Sequence, residues 1–186
     1  MCTTTITIRP EHEGDEAAIR AVNEAAFNQP GEAALVDALR KSGGVFVSLV
    51  AEVGASVAPG ASVASGHTVA GHILFTPVRV LRKGAPAWDA VALGPMAVTT
   101  GWQSQGIGSA LVRAGLAACR NAGAGVVFVL GHPSFYPRFG FTPASGYGID
   151  SRYNAGDAFM LVELVPGALM ARRGTVVYDP AFDPVT

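Results

Sequence analysis

The stretch from Met96 to Leu111 reads MAVTTGWQSQGIGSAL, which is an apolar strand end, a turn, two glycines and the opening of a helix. This order of elements presents unbonded backbone N–H groups, because the first four amides of a helix have no intrahelical partner. A helix N-terminus also carries roughly +0.5 of an elementary charge. Gly106 and Gly108 let a bulky anion approach the backbone without meeting a Cβ atom. The stretch therefore predicts a binding site for a phosphate-bearing ligand.

Two common phosphate motifs do not fit this stretch. A nucleotide P-loop has the pattern G-x-x-x-x-G-K-[ST], and no lysine follows Gly106 or Gly108. The dinucleotide fingerprint G-x-G-x-x-G needs a third glycine, where this chain has Leu111, and an acidic residue about 20 positions further on, where it has an apolar run. The pattern that fits is Gln103-x-x-Gly106-x-Gly108. It resembles the Q/R-x-x-G-x-G/A pyrophosphate loop of the GCN5-related N-acetyltransferases, the GNAT family.

A second segment supports this resemblance. The sequence GHPSFYPRFGF follows a predicted strand at 125–130. In it, Tyr136, Gly140 and Phe141 match the family pattern Y-x-x-x-G-F. The residues just before this tyrosine, together with the tail of the chain, look like the YhbS-type branch of predicted acetyltransferases. The resemblance covers roughly residues 6 to 182.

The resemblance implies that the protein transfers the acetyl group of acetyl-CoA to a primary amine by direct attack, with no metal. The main chain of Met96, Ala97 and Val98 would bind the pantetheine arm and the thioester carbonyl, with a backbone N–H at about Ala97 stabilising the oxyanion. The pyrophosphate would be held by the loop residues Gln103, Ser104, Gln105, Gly106, Ile107, Gly108 and Ser109. The alternative is a CoA-binding or sensing module without efficient transfer.

Tyr136 stands at the family's general-acid position, where departing CoA thiolate needs a proton. A free phenol has a pKa of about 10 and a thiol about 8.5, so this transfer is uphill by about 2 kcal/mol unless the site lowers the pKa of the tyrosine. Tyr136 is therefore either a proton donor or a group that positions the sulfur. A purely structural alternative is packing under the turn at Gly140 and Phe141.

Three residues are candidates for the base that takes a proton from the amine. His132 follows a strand end on the motif loop, where its ring could instead bond a main-chain carbonyl. Glu32 opens the second predicted helix, where it could serve only as a partner of the helix dipole. His72 lies in the middle of a strand, as a buried core histidine would. The family's frequent strand glutamate has no counterpart in 90–98, so a base acting through water, or no base, also stays open.

Composition limits the other functions. The 186 residues are 49% hydrophobic and 15% charged, with a formal net charge of −1, which indicates one domain over 1–186. The resemblance implies that the core of this domain lies at about 6–165. Scattered basic residues argue against a nucleic-acid partner. The absence of a long apolar run or signal-peptide start predicts a cytoplasmic protein without a membrane segment. Cys2, Cys119 and four histidines support neither a disulfide framework nor a metal site.

Periodicity predicts helices and strands in alternation. Asp15 is predicted to cap a first helix, a second helix covers 32–41 and ends at two glycines, and a third covers 107–121. Its core face is predicted at Ile107, Ala110, Leu111, Ala114 and Ala118. Strands are predicted at 5–9, 45–53, 68–81, 90–98, 125–130, 158–164 and 174–178, with an extended hairpin loop at 54–66.

The predicted fold class is α/β, with a mixed, mostly antiparallel sheet and helices on both faces. This is the acyl-CoA N-acyltransferase fold that the resemblance implies. Gly94-Pro95 interrupts one strand, which favours a bulge and lets that strand part from the strand at 125–130. The C-terminal strands, at about 158–182, could pair across a homodimer. The acceptor is expected to be a small-molecule or peptide amine whose identity the sequence does not encode.

Overall fold

A computed structural model describes residues 4–55 and 68–185, which form one open sheet with helices on both faces. The α-helices are α1 (Glu16–Phe27), α2 (Gly31–Ser42) and α3 (Ile107–Asn121). The strands are β1 (Thr4–Pro10), β2 (Val47–Ala55), β3 (Thr68–Leu81), β4 (Trp88–Val98), β5 (Val126–Leu130), β6 (Thr142–Pro143), β7 (Ile149–Ser151), β8 (Phe159–Glu163) and β9 (Gly174–Val177).

The strand order is β1-β2-β3-β4-β5-β8-β6, with β9 beside the far end of β3 and β7 beside β9. All neighbours are antiparallel except the pairs β4/β5 and β7/β9. This confirms the mixed, mostly antiparallel sheet. The sequence did not predict β6 and β7, because two or three residues are too few to show an alternating pattern.

The two faces of β3 carry different helices. On one face α3 approaches closely, since a Cβ atom at Gly115 would lie 2.3 Å from the ring of Phe75. On the other face α1 and α2 pack, where Ile19 and Leu39 are fully buried with Leu74. Because successive strand residues point to opposite faces, neighbouring positions on this one strand anchor both helical layers. The prediction of helices on both faces is confirmed.

The buried face of α3 agrees with the predicted one at Ile107 and Leu111 and differs from it at the three alanines. Ala110, Ala114 and Ala118 are only partly buried. The helix is turned so that Gly115 faces the sheet, which allows the close contact with Phe75. The residues that are buried are Ile107, Leu111, Val112, Gly115 and Cys119.

Asp15 lies at the N-cap position of α1, but its side chain makes no capping hydrogen bond to the helix. Its carboxylate instead pairs with Arg9 at 2.6 Å and accepts a hydrogen bond from the backbone N–H of His12 at 2.7 Å. The Arg9 guanidinium lowers the pKa of Asp15 to about 2. The predicted capping role is therefore wrong, because the cation of β1 takes the carboxylate.

The C-terminal strands lie inside the sheet. The strand β8 lies between β5 and β6, and β9 lies between β3 and β7. Their backbone edges thus pair within the chain over part or all of their length, and the homodimer stays a prediction. The predicted loop at 54–66 begins with the last two residues of β2, and the rest of it lies outside the described residues. Within the described ranges, no helix is long and apolar enough to cross a bilayer.

Candidate active site

The strands β4 and β5 part at the break in β4. They pair only from Val91 to Leu93, directly before Gly94-Pro95. On its other side β4 stays paired with β3, with a register shift where two residues of β4, Gly94 and Pro95, lie opposite Leu74 alone. The predicted bulge and the predicted parting of the strands are both confirmed. Beyond Pro95, the backbone of β4 has one edge that faces a gap.

The ladder between β3 and β4 decides which amides face this gap. Thr99 N donates to Ala70 O at 2.9 Å. In an antiparallel ladder the bonded pairs alternate, so the amide of Ala97 points to β3 and the amides of Met96 and Val98 point to the gap. We expected the gap-facing N–H at about Ala97. The register shows instead that the N–H groups facing the gap are those of Met96 and Val98, the residues on either side of Ala97.

The loop before α3 has the open backbone that the sequence predicts. Gly106 has a left-handed φ of 86°, and a Cβ atom there would meet nothing within 4 Å. The first helical bond runs from Ala110 N to Gly106 O at 2.9 Å, and no side chain caps the helix. The amides of Ile107, Gly108 and Ser109 therefore precede the first intrahelical bond and point out of the helix end.

Two glutamines brace this loop with their side chains. Gln103 Nε2 donates to Val98 O at 3.0 Å, and Gln105 Nε2 donates to Gly101 O at 3.1 Å. Gln105 is exposed and lies off the cavity wall, while the side chain of Ile107 is buried in the core. The side chains of Gln105 and Ile107 therefore do not face the predicted phosphate. Ile107 can contact a phosphate there through its backbone amide.

A cavity of about 1040 Å³ joins the gap to the loop. Its wall includes β4 from Ala92 to Val98, the loop before α3, and the segment after β5. Of the predicted site residues, those that line it are Glu32, Met96, Ala97, Val98, Gln103, Ser104, Gly106, Gly108, Ser109, His132 and Tyr136.

Tyr136 is held in the cavity wall by aromatic contacts. Its ring packs edge-on against Phe135 and Phe141, with ring centroids 5.1 and 5.5 Å apart. It also lies against Gly131, where a Cβ atom would come within 2.2 Å of the ring. Burial raises the pKa of Tyr136 to about 12. The site therefore does not lower the pKa of the phenol, as an efficient proton donor would require.

The two candidate bases on the wall have different surroundings. His132 is exposed on the loop after β5, and its ring makes no hydrogen bond to the residues that the structure describes. Its backbone carbonyl accepts from Phe135 N at 2.9 Å and so holds the loop. Glu32 is half-buried in the first turn of α2, and each of its oxygens lies 3.1 Å from Gln29 Nε2.

His72 is a buried structural histidine that lies off the cavity wall. Its ring nitrogens lie 3.2 Å from Asn23 Nδ2 and 3.0 Å from Ser48 Oγ, and Ser48 hydrogen-bonds to Glu11. Burial lowers the pKa of His72 to about 3, so the ring stays neutral. The interpretation of His72 as a satisfied core histidine is confirmed.

Comparison with known proteins now places this geometry in a family. Residues 49–143 match the family model described as an acetyltransferase (GNAT) domain. The chain is also similar to the uncharacterized N-acetyltransferase YhbS of Escherichia coli K12, with 31% identity over 177 residues, which is 95% of this chain and 98% of that protein. The chain belongs to the GNAT acetyltransferase family.

Other GNAT proteins extend the comparison. The uncharacterized N-acetyltransferase YjhQ of E. coli K12 is 37% identical over 139 residues, which cover 72% of this chain and 68% of that protein. The crystal structure of E. coli YhbS in complex with CoA has a TM-score of 0.82 at 31% identity, over 97% of this chain and 93% of that one. A GNAT acetyltransferase from Brucella melitensis in complex with acetyl-CoA has a TM-score of 0.73 at 34% identity, over 96% and 99%. These matches confirm the family and the fold that the motifs predicted.

Several residues on the wall of this GNAT cavity were not found from the sequence. Arg138 lies over the ring of Phe135 at 4.7 Å, and that ring is a neighbour of Gly108. The spacing of the tyrosine motif could have pointed to Arg138, which lies two residues after Tyr136. The others are aromatic: Trp102 lies in the loop before α3, and distant segments supply Phe27, Tyr153, Tyr178 and Phe182. In the ranges 4–55 and 68–185, no group of three acidic, histidine or cysteine side chains could hold a metal.

Proposed function

We propose that this GNAT protein transfers the acetyl group of acetyl-CoA to the amino group of a small-molecule or peptide acceptor in the cytoplasm. The observation that carries the proposal is that the gap between β4 and β5, the open amides before α3 and Tyr136 share one cavity. The similarity to two GNAT proteins whose crystal structures contain CoA or acetyl-CoA supports the choice of donor.

The helix end of α3 would bind the pyrophosphate of acetyl-CoA. The backbone N–H groups of Gly108 and Ser109 make no hydrogen bond within the helix, and the space above Gly106 is open. Arg138, stacked on Phe135 beside Gly108, supplies a guanidinium at the same end of the cavity. We infer that Arg138 binds a phosphate of CoA, since a guanidinium can bind phosphate oxygens through two donors at once.

The backbone of β4 would bind the arm and the reacting carbonyl. The amides of Met96 and Val98 face the gap, two residues apart, as the donors of a strand edge do. The amine nitrogen attacks the thioester carbon, and one of these N–H groups stabilises the oxyanion that forms. Loss of one such donor costs about 3–4 kcal/mol in other enzymes. The C–S bond then breaks, and CoA leaves as a thiolate that takes a proton.

Tyr136 would position the sulfur of CoA by donating a hydrogen bond to it. With its pKa raised to about 12, a full proton transfer to a thiolate of pKa about 8.5 is uphill by about 5 kcal/mol. Donation of a hydrogen bond needs no such transfer. Because the phenol stays protonated throughout the neutral range, it remains a donor at every pH at which the enzyme works.

His132 is the base that we propose for the amine. Its ring lies at the exposed rim of the cavity, where the proton can pass on to water. Replacement by alanine should lower turnover about tenfold at pH 7 and less at pH 9, because more of the amine is already neutral at the higher pH. A rate that His132→Ala leaves unchanged at pH 7 would assign the deprotonation to water instead.

A turnover screen tests the proposed function. Release of CoA thiol from acetyl-CoA is followed with polyamines, amino acids, aminoglycosides and peptides with free N-termini, and acetylated product is identified by mass. We expect amine-dependent release that Gly106→Glu abolishes. The control is Gly84→Glu, at a glycine with a similar left-handed φ of 77° and open space, which should retain the rate. Binding of acetyl-CoA without amine-dependent release on the whole panel would leave a CoA-binding module.

A further inference from the structure

The face of the cavity that belongs to α1 and α2 has an aromatic wall. It is formed by side chains from separate elements: Phe27 at the end of α1, Tyr153 after β7, Tyr178 after β9, and Phe182 in the short 3-10 segment Pro180–Val185. The loop that would bind phosphate lies at the start of α3, on the opposite face of the sheet. The wall therefore belongs to the side from which an acceptor would approach.

Three rings of this aromatic wall, those of Tyr153, Tyr178 and Phe182, form a contiguous series. The ring of Tyr178 lies 5.2 Å from that of Tyr153 and 5.3 Å from that of Phe182. Arg152 lies over the ring of Tyr153 at 5.0 Å, and its guanidinium donates to the Tyr153 hydroxyl at 3.0 Å. Arg152 itself lies off the cavity wall and is paired with Asp183. Rings arranged in this way offer apolar surface together with faces that attract a positive charge.

Glu32 gives this side of the cavity a negative charge. Of the described residues on the cavity wall, it is the one carboxylate, and Arg138 at the phosphate end is the one lysine or arginine. The partner of Glu32 is the neutral amide of Gln29, and no cation pairs with it among the described residues. A carboxylate without a counterion beside aromatic rings attracts an ammonium group and repels an anion.

We propose that the acceptor is a primary amine on an aromatic body, an arylalkylamine, whose ammonium form is recognised by Glu32 and whose ring packs on the aromatic wall. This inference rests on the proposed function and narrows it to one substrate class. The charge of Glu32 acts against acidic peptides and nucleic acids. The ring contacts favour an aromatic body over a flexible polyamine, because flat rings pack on flat rings with little loss of conformational freedom.

Binding of three matched probes to the CoA-saturated protein tests this proposal. The probes are 2-phenylethylamine, its neutral counterpart 2-phenylethanol and the anionic 3-phenylpropionate, each followed by calorimetry or by NMR. We expect the amine to bind at least about tenfold more tightly than the other two. Spermidine, which is cationic without a ring, should also bind less tightly. Equal affinity for the three matched probes, or tightest binding of the anion, would overturn the proposal.

Two variants separate charge from packing. Glu32→Gln should weaken binding of the amine about tenfold and change binding of the alcohol less than twofold, because it removes the charge of the side chain and keeps its shape. Phe27→Leu should weaken binding of the amine and of the alcohol alike. The ring of Phe27 is 38% exposed, so this variant should still fold. Glu13→Gln, the same charge change at an exposed loop residue, should affect neither. A Glu32→Gln protein that keeps its preference for the amine would contradict the assigned role.

This binding assay does not depend on transfer. If 2-phenylethylamine binds as expected but acetyl-CoA yields no acetylated product with any amine, the proposed function fails and the recognition stands. If other amines are acetylated while 2-phenylethylamine neither binds nor reacts, the substrate class fails and the proposed function stands.

Discussion

The two ends of the cavity are built in different ways. At the phosphate end, the backbone amides that face the open space all come from one continuous segment: those of Met96, Val98, Ile107, Gly108 and Ser109. At the acceptor end, side chains from α1, α2 and the segments after β7 and β9 meet only because the chain folds. A backbone site tolerates changes of side chain but depends on the absence of Cβ atoms at a few places. A side-chain site can change its ligand through single substitutions while the fold stays the same.

The largest effect is expected at the phosphate end. Gly106→Glu puts a carboxylate where the pyrophosphate would lie and should abolish the rise in melting temperature that acetyl-CoA causes, which corresponds to an affinity loss of at least about 100-fold. Gly84→Glu adds the same strain and charge far from the cavity and should keep the rise. An unchanged rise in the Gly106 variant would move the cofactor elsewhere.

The next effect concerns the junction of the two ends, where Tyr136 lies on Gly131. A Cβ atom at Gly131 would lie 2.2 Å from the tyrosine ring, so Gly131→Ala must displace the ring. We expect turnover to fall about tenfold or more, with a smaller change in acetyl-CoA affinity, because the phosphate loop is untouched. Gly146→Ala, where nothing lies within 4 Å, is the matched control in steady-state kinetics. Equal rates for both variants would show that the ring position is unimportant.

A smaller effect is expected from the hydroxyl of Tyr136 alone. Tyr136→Phe should lower turnover less than tenfold, because a phenol with a pKa near 12 positions the sulfur and does not transfer its proton. A fall of about 100-fold or more would restore the proton-donor role. The exposed Tyr147→Phe is the control.

The same tyrosine has a consequence for stability at high pH. Its folded pKa is raised above the unfolded value of about 10, so the stability due to the buried neutral phenol is complete below pH 10 and is lost as pH rises toward 12. Alkaline unfolding, followed by circular dichroism, should be less steep in this window for Tyr136→Phe than for the unmodified protein.

The smallest effect on activity is expected at His72, behind the site. Its folded pKa is lowered to about 3, so its contribution to stability is complete above pH 6.5 and is lost as pH falls from 6.5 toward 3, where only the unfolded ring binds a proton. His72→Gln should flatten the acid dependence of urea unfolding in this window and change turnover at pH 8 less than twofold. His132→Gln, at an exposed ring, should keep the acid dependence. If the stability of the His72 variant still fell steeply between pH 6.5 and pH 3, the acid dependence would come from other groups.

The phosphate end could be predicted from the sequence because its geometry depends on local spacing. Gln103, Gly106 and Gly108 fix the loop, and Gly94-Pro95 marks where β4 leaves β5. The error at Ala97 has a different origin. Strand character can be predicted from the residues, but the side to which each amide points depends on the register with β3.

The acceptor end could not be predicted, because its residues are brought together by tertiary packing alone. Tyr153 and Tyr178 follow short strands that carry no motif, and Phe182 lies in a 3-10 segment near the chain end. The face of α3 was misjudged for a related reason. Small apolar residues occur all around this helix, so no stripe stands out, and the contact between Gly115 and Phe75 decides its rotation.

Amide hydrogen exchange at Met96, Ala97 and Val98, measured by NMR with and without acetyl-CoA, tests the central claim most directly. The claim is that the arm of acetyl-CoA binds along β4 as an added strand would. The account predicts that the amides of Met96 and Val98 exchange quickly in the free protein and slow at least about tenfold with acetyl-CoA. The amide of Ala97, bonded to β3, should be protected in both states. Slowing at Ala97 alone, or no slowing at Met96 and Val98 when acetyl-CoA is saturating, would contradict the account.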